Sequence, residues 1–298
     1  SQSSPISGDS AWPRNVGSAS LVGVSMNVMK PVAAILFAAL VAAPTLTAGA
    51  ADPIKIWKGG EGRGVKTHHL HMPLTEEEYY SDRYTIETWL EDGSTLWVSF
   101  LVRNFGPGTH KMKVRARYTE KGGKEHYTNT TIERKDYTVD NGEKKFTVSA
   151  KGQTLSGTPR RLKLKGSVGS YKWNLSFKSG LPPFRPGTGR TEFGDGSLYF
   201  DHTLVQPKAD VSGKVNGKAI KGYGYVIHTH ANIAPYAMFK NYIQVRSIDS
   251  DTVVWFHEFT TPAKYGGKRV GYLYVAKDGK RLVGTRYYKR KFAELKTD

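Results

Sequence analysis

The sequence predicts an all-β protein built as two tandem antiparallel barrels, and three observations carry that expectation. From Val65 onward the dominant period is two. Turn signals recur at short spacing, and one Pro/Gly-rich break divides the strand-forming region. Tyr171-Lys-Trp173-Asn-Leu175-Ser-Phe177-Lys alternates apolar with polar side chains throughout. Lys111-Met-Lys-Val-Arg-Ala-Arg-Tyr118 does the same, with Met112, Val114, Ala116 and Tyr118 on one face and four basic residues on the other. Successive side chains of a strand point to opposite faces, so each segment reads as a half-buried strand with a cationic exterior.

Turns separate these strands at Glu91-Asp92-Gly93, Gly106-Pro107-Gly108, Lys121-Gly122-Gly123, Asp140-Asn141-Gly142 and Asn216-Gly217. Two more stand at Tyr265-Gly266-Gly267 and Asp278-Gly279. Asp-Gly and Asn-Gly between alternating runs are hairpin signals. The one helical start is Thr75-Glu-Glu-Glu78, which has the residues to cap a short helix. The break runs from Ser179 to Gly196 and holds Pro182, Pro183 and Pro186 with five glycines. It gives an N-terminal barrel over 51–179, a connector over 180–196 and a C-terminal barrel over 197–298. Closure of each half removes exposed sheet edges.

Upstream, residues 26–50 read as a signal peptide. Lys30 supplies the positive start, Val32 to Ala43 the apolar run, and Ala48-Gly49-Ala50 the cleavage site before Ala51. Residues 1–25, rich in Ser and Gly, read as an upstream extension. The expected location is periplasmic or secreted. An exported chain with no Cys has neither disulfides nor thiolate chemistry, so packing alone must hold it. The chain carries 44 Lys and Arg against 26 Asp and Glu, a net charge of +18. Because the cations alternate along strands, they form a solvated exterior and not a concentrated groove. The partners expected are an apolar small molecule or lipid and weak contact with anionic membrane surfaces, with no nucleic acid. The protein is expected as a monomer or homodimer.

Three motifs in order resemble a known superfamily: Leu181-Pro-Pro-Phe-Arg-Pro-Gly-Thr-Gly189, then Gly222-Tyr-Gly-Tyr225 with His228, then Glu258-Phe-Thr-Thr-Pro262 with Tyr265-Gly266. The series is similar to the double-lipocalin proteins that group oxidative-stress survival factors with carotenoid hydratases and tocopherol cyclases. The last motif resembles the survival-factor branch in particular. The resemblance implies two lipocalin-like halves that handle large apolar molecules. In the hydratases the strand matching 222–230 carries an Asp with flanking His and Trp. Here His228 keeps one His, while Val226, Ile227 and His230 stand at the other positions. Alkene protonation needs a strong shielded acid, which Ile227 cannot supply.

The leading expectation is therefore a non-catalytic carrier of a lipid or isoprenoid, with no cofactor. The alternative is a cyclase- or isomerase-type enzyme acting on an isoprenoid or polyketide-like substrate in the same cavity. No catalytic residue is assigned, because no nucleophile elbow is present and His257-Glu258 are strand neighbours that face opposite ways. The candidate ligand-binding residues are Tyr225, His228, His230, Tyr236, His202, Trp255 and His257. His228 and His230, two apart, share a strand face. At least one is expected in an apolar cavity of the second barrel, with the loop from Tyr236 to Asn241 at its mouth. A three-His metal site with His202 and His257 is geometrically conceivable, but hydrogen-bonding fixtures for a ligand's polar group are preferred and no metal is assigned. His68-His69-Leu-His71 reads as a solvated strand start.

Overall fold

The computed structural model describes residues 54–57, 64–106, 108–249 and 251–289. The expected upstream extension, signal peptide and cleavage site fall outside the described residues. Packing groups the chain into two units. One is 41–287, which holds every strand below. The other is 1–40 with 288–298, of which residues 288 and 289 are described.

In chain order the strands are β1 (Ile54–Lys55), β2 (Ser81–Leu90), β3 (Thr95–Arg103), β4 (Lys111–Thr119), β5 (Glu125–Ile132) and β6 (Tyr137–Asn141). Then come β7 (Phe146–Ala150), β8 (Gln153–Thr158), β9 (Arg161–Val168), β10 (Tyr171–Ser179), β11 (Arg190–Phe193), β12 (Leu198–Val215) and β13 (Lys218–Ala231). A one-turn helix α1 (Pro235–Met238) precedes β14 (Asn241–Ile248), β15 (Thr252–Thr260), β16 (Arg269–Lys277) and β17 (Lys280–Thr285). All pairings are antiparallel. The fold is all-β and lipocalin-like. Every turn signal read above falls between consecutive strands except Asp140-Asn141-Gly142, whose first two residues end β6.

One sheet runs β5-β4-β3-β2-β13-β12-β10-β9-β8-β7-β6 and curls into a nearly closed barrel, bringing β4 and β5 against β9. Alternation fills its inside. β4 buries Met112, Val114, Ala116 and Tyr118, and β10 buries Trp173, Leu175 and Phe177. Each large apolar side chain so buried contributes ~1.5–3 kcal/mol. The second sheet, β14-β15-β16-β17, packs Val253, Trp255, Phe259, Tyr272 and Tyr274 into a separate core with Phe200, Leu204, Tyr225 and Ile227.

The sheet crosses the connector. β12 and β13, placed by the sequence in the C-terminal half, hydrogen-bond between β10 and β2. One face of this pair belongs to each core: Val205, Val211 and Val226 join the barrel, Phe200, Tyr225 and Ile227 the second core. The physical reason is length. β12 and β13 have 18 and 14 residues, long enough to serve two layers, with bulges in the register between Leu204 and Ala209. The connector is itself structured, because Phe184 bridges to Leu204 and packs its ring against Tyr272 and Tyr274.

Two local expectations are corrected. Thr75–Glu78 forms no helix. Its backbone carbonyls are instead used by Asn104 and His110 side chains, and Thr75 spends its hydroxyl on Glu77. Thr67–Leu70 is a 3-10 turn and not a strand start. It lies over the barrel, where Leu70 is buried in the core.

Candidate functional site

β13 fixes the geometry by parity. Tyr84 of β2 lies opposite His228, and Asp82 opposite His230. Directly opposed residues share a face, so both histidines point into the first barrel's core beside Val226, and not into the second core as the sequence suggested. The choice of face is invisible in a period-two pattern, which says which residues travel together but not which core they meet.

On that face His228 is sealed. Its Nε2 lies 2.6 Å from Asp82 Oδ1 and its Nδ1 3.0 Å from the His69 carbonyl oxygen. A carbonyl only accepts, so Nδ1 carries a hydrogen. The Nε2–Oδ1 contact then holds one further proton between imidazole and carboxylate. The ring stacks on Tyr84 at 4.4 Å and 11°, and Tyr84 stacks in turn on Phe146. The Tyr84 hydroxyl donates to the Leu70 carbonyl. Asp82 is wholly buried, and its Oδ2 has no hydrogen-bond partner among the described residues. His230 Nε2 meets the Tyr199 hydroxyl at 3.0 Å, and burial holds the His230 pKa below its ordinary value. Arg190 closes the row, bidentate on Asp201 at 2.9 and 2.7 Å and stacked 3.8 Å over the Tyr199 ring.

Sequence reasoning missed Asp82. It stands 146 residues before His228, and only the β2–β13 register unites them. Its one signal was a lone acid at a core-facing position of an alternating strand, where Tyr84 and Ile86 follow at the same parity.

The other face gathers His202, Tyr225, Trp255 and His257. His202 and His257 lie with ring centroids 4.3 Å apart, and the Tyr272 hydroxyl meets His202 Nδ1 at 3.2 Å. His257 is 1 % exposed, stacks on Tyr272, and is edged by Phe259 and Tyr242. Both of its ring nitrogens lack a hydrogen-bond partner among the described residues. Burial depresses its pKa to about 3. His202 is held well below its ordinary value by burial, then by its histidine neighbours. Both rings are therefore neutral near pH 7. Trp255 donates to the Pro207 carbonyl at the β12 bulge and meets Tyr225 edge-on, with centroids 4.8 Å apart. The Tyr225 hydroxyl donates to Glu87 at 2.6 Å.

Tyr236, on α1, is 77 % exposed and joins neither group. The segment after it does reach the site: Phe239 packs on Phe200 and Phe259, and Tyr242, 38 % exposed, bridges solvent to His257. No group of three or more His, Asp or Glu able to hold a metal ion occurs among the described residues. A cavity of about 150 Å³ lies elsewhere, lined by residues of β4, β5, β8 and β9 including Val114, Thr130, Gln153 and Ser167. At half the volume of a small ligand pocket, it is too small for an isoprenoid.

No protein-family model matches the chain, and no curated protein matches it by sequence. Solved structures do. The chain is similar to a candidate AttH protein of Nitrosomonas europaea, with a TM-score of 0.51 and 12 % identity over 78 % of this chain and 73 % of that one. CghA in complex with Sch210972 aligns with a TM-score of 0.49 at 11 % identity, over 77 % and 69 % of the two chains. Kievitone hydratase of Nectria haematococca gives 0.47 at 13 %, over 80 % and 72 %. The first likeness supports a common fold. At such identities none of them transfers a chemistry.

Proposed function

We propose that this protein is an exported lipocalin-like carrier, of the survival-factor type, for an apolar small molecule that bears a polar group. The ligand is a lipid or isoprenoid held between the second sheet and the back of β12–β13. The observation that carries this reading is His257. It is a neutral imidazole buried in aromatic surroundings, with both ring nitrogens unpartnered. A buried polar group left unsatisfied costs ~1–3 kcal/mol, and a ligand hydroxyl or carbonyl arriving beside His257 would relieve that cost. Tyr242 supplies the way in, since its partly exposed ring lies edge-on against His257 and Phe239 packs beside it.

Carriage is favoured over proton-driven cyclisation in the same place. His202 and His257 are poor proton donors when neutral. Asp82 lies on the opposite face of β13, and Glu87 is engaged by Tyr225 and Arg246. The test is native mass spectrometry and lipid extraction on full-length protein from its own host, wild type beside His257→Phe. An apolar molecule should co-purify with the wild type and be retained about 2- to 10-fold less by the variant, the worth of one hydrogen bond. Protein that extracts clean, or a variant that retains the ligand equally, would sink the reading.

A further inference from the structure

The cations of the barrel's exterior are not equivalent once their partners are known. On β4 they are answered: Lys111 pairs with Glu133 at 3.0 Å and Arg117 with Glu125 at 3.4 Å. On the outer face of β9, β10 and β12 they are not. Arg161, Lys163 and Lys165 alternate with Leu162 and Leu164, which fill the barrel, so all three project outward. Lys178 of β10 and Lys214 of β12 share that face, and all five are exposed. None of the five forms an ion pair among the described residues.

The register places these charges in an ordered array. Alternate residues of a strand stand ~6.8 Å apart, so the three β9 cations make a file ~13–14 Å long. Arg161 lies directly opposite Lys178, and like charges so placed destabilise a sheet. Asp210 lies opposite Lys178 on its other side but makes no ion pair with it. Ser156 and Ser176 flank Lys163, while Thr154 and Asn174 flank Lys165. Lys214 stands one strand beyond Asn174. Short hydroxyl and amide side chains therefore floor the space between the cations, with no apolar or aromatic group among them.

A file of unanswered like charge is matched by a partner whose own charges repeat along a line. The floor selects which kind. A surface that beds into a bilayer sets apolar or aromatic side chains into the headgroup layer, and single-stranded nucleic acid needs aromatic platforms for its bases. This face carries neither. Its hydroxyls and carboxamide are instead hydrogen-bonding partners for sugar hydroxyls. The curl of the sheet around Leu162, Leu164 and Leu175 also makes the face convex, a shape that a linear chain can follow and a flat bilayer cannot.

We propose that the outer face of β9, β10 and β12 binds an acidic polysaccharide. The polymer's anionic groups meet Arg161, Lys163, Lys165, Lys178 and Lys214, and its hydroxyls meet Asn174 and Ser176. This surface is separate from the aromatic interlayer and does not depend on the carrier reading.

Full-length protein is measured against polygalacturonate, neutral dextran, phosphatidylglycerol vesicles and a thymidine oligonucleotide, the anions at equal charge and each over a range of salt. Polygalacturonate should bind at least about tenfold more tightly than the vesicles or the oligonucleotide and weaken as salt rises, and dextran should not bind. The triple variant Lys163→Gln, Lys165→Gln, Lys178→Gln should weaken polygalacturonate binding about tenfold or more, as expected when several charge contacts are lost together. A second triple variant, Arg269→Gln, Lys277→Gln, Lys280→Gln, removes the same charge from exposed positions of the second sheet and should change binding about twofold or less. Exposed Lys→Gln changes leave the core intact, and relief of the Arg161–Lys178 opposition should hold the urea midpoint of the first variant at or above that of wild type. Its loss of binding is then not a loss of fold. Equal weakening by the two variants would mean that net charge alone binds the polymer, which overturns the face. Binding to vesicles or to the oligonucleotide as tight as to polygalacturonate overturns the assignment to a polysaccharide. Absence of polygalacturonate binding at low salt overturns the proposal outright.

Discussion

His228 and His202 show how one residue type takes opposite roles on the two faces of a single strand pair. His202 is neutral and belongs to the aromatic interlayer. His228 shares a proton with Asp82 and is fully bonded, so its role is to hold the 3-10 turn at Thr67–Leu70 onto the barrel through the His69 carbonyl. Breaking a buried ion pair by removing one partner leaves the other desolvated, which costs ~3–5 kcal/mol. His228→Ala and Asp82→Ala should each lower stability by about that much in urea unfolding. The double variant should lose clearly less than the sum, because the second removal deletes a charge already stranded. Ligand retention per folded molecule should be unchanged in these variants. Additive losses would show that the two side chains do not act as a pair, and a selective loss of retention would return His228 to the ligand site.

At the scale of elements, the strands and turns were legible because alternation and Asx-Gly turns are local. The Met112–Tyr118 face, the Trp173–Phe177 face and the turns at 91–93, 121–123, 216–217 and 278–279 stand where the pattern put them. What the pattern could not hold was pairing between strands far apart in sequence. β2 beside β13 brings Asp82 to His228, and that adjacency has no local signature. The same pairing explains Gly222 and Gly224. A Cβ at Gly222 would sit 2.1 Å from the Trp89 carbonyl oxygen, so the close neighbour is the β2 backbone. Gly222→Ala should therefore push β13 off β2 and destabilise the protein by ~1–3 kcal/mol, as overpacking does. Gly180→Ala, where a Cβ meets nothing within 4 Å, should stay within about 0.5 kcal/mol. Equal melting temperatures for the two variants would mean that the β2–β13 approach is looser than the contact implies.

At the scale of the whole molecule, the shared strand pair gives two cores that answer differently to acid. The second core holds His202 and His257 neutral, and His257 keeps a folded pKa of about 3 against about 6.5 when unfolded. As pH falls below ~6.5 the unfolded chain binds a proton at His257 that the folded chain refuses. Stability is therefore complete above that pH and is lost progressively toward about 3, at up to ~1.4 kcal/mol per pH unit for each such histidine. The net charge of +18 acts in the same direction, since protonating carboxylates raises self-repulsion, but salt screens that contribution and hardly touches a buried imidazole. Urea unfolding at pH 7.5, 5.5 and 4.5 in high salt separates the two effects. His257→Phe keeps the ring packing against Phe259 and Tyr272 without a titrating group. Its stability should therefore fall less than wild type between pH 7.5 and 4.5, by about 2–3 kcal/mol, the integral of one proton over two pH units. Parallel pH profiles for the two proteins would mean that the folded state accepts a proton at His257, and the neutral, unpartnered imidazole on which the proposed ligand site depends would then be wrong.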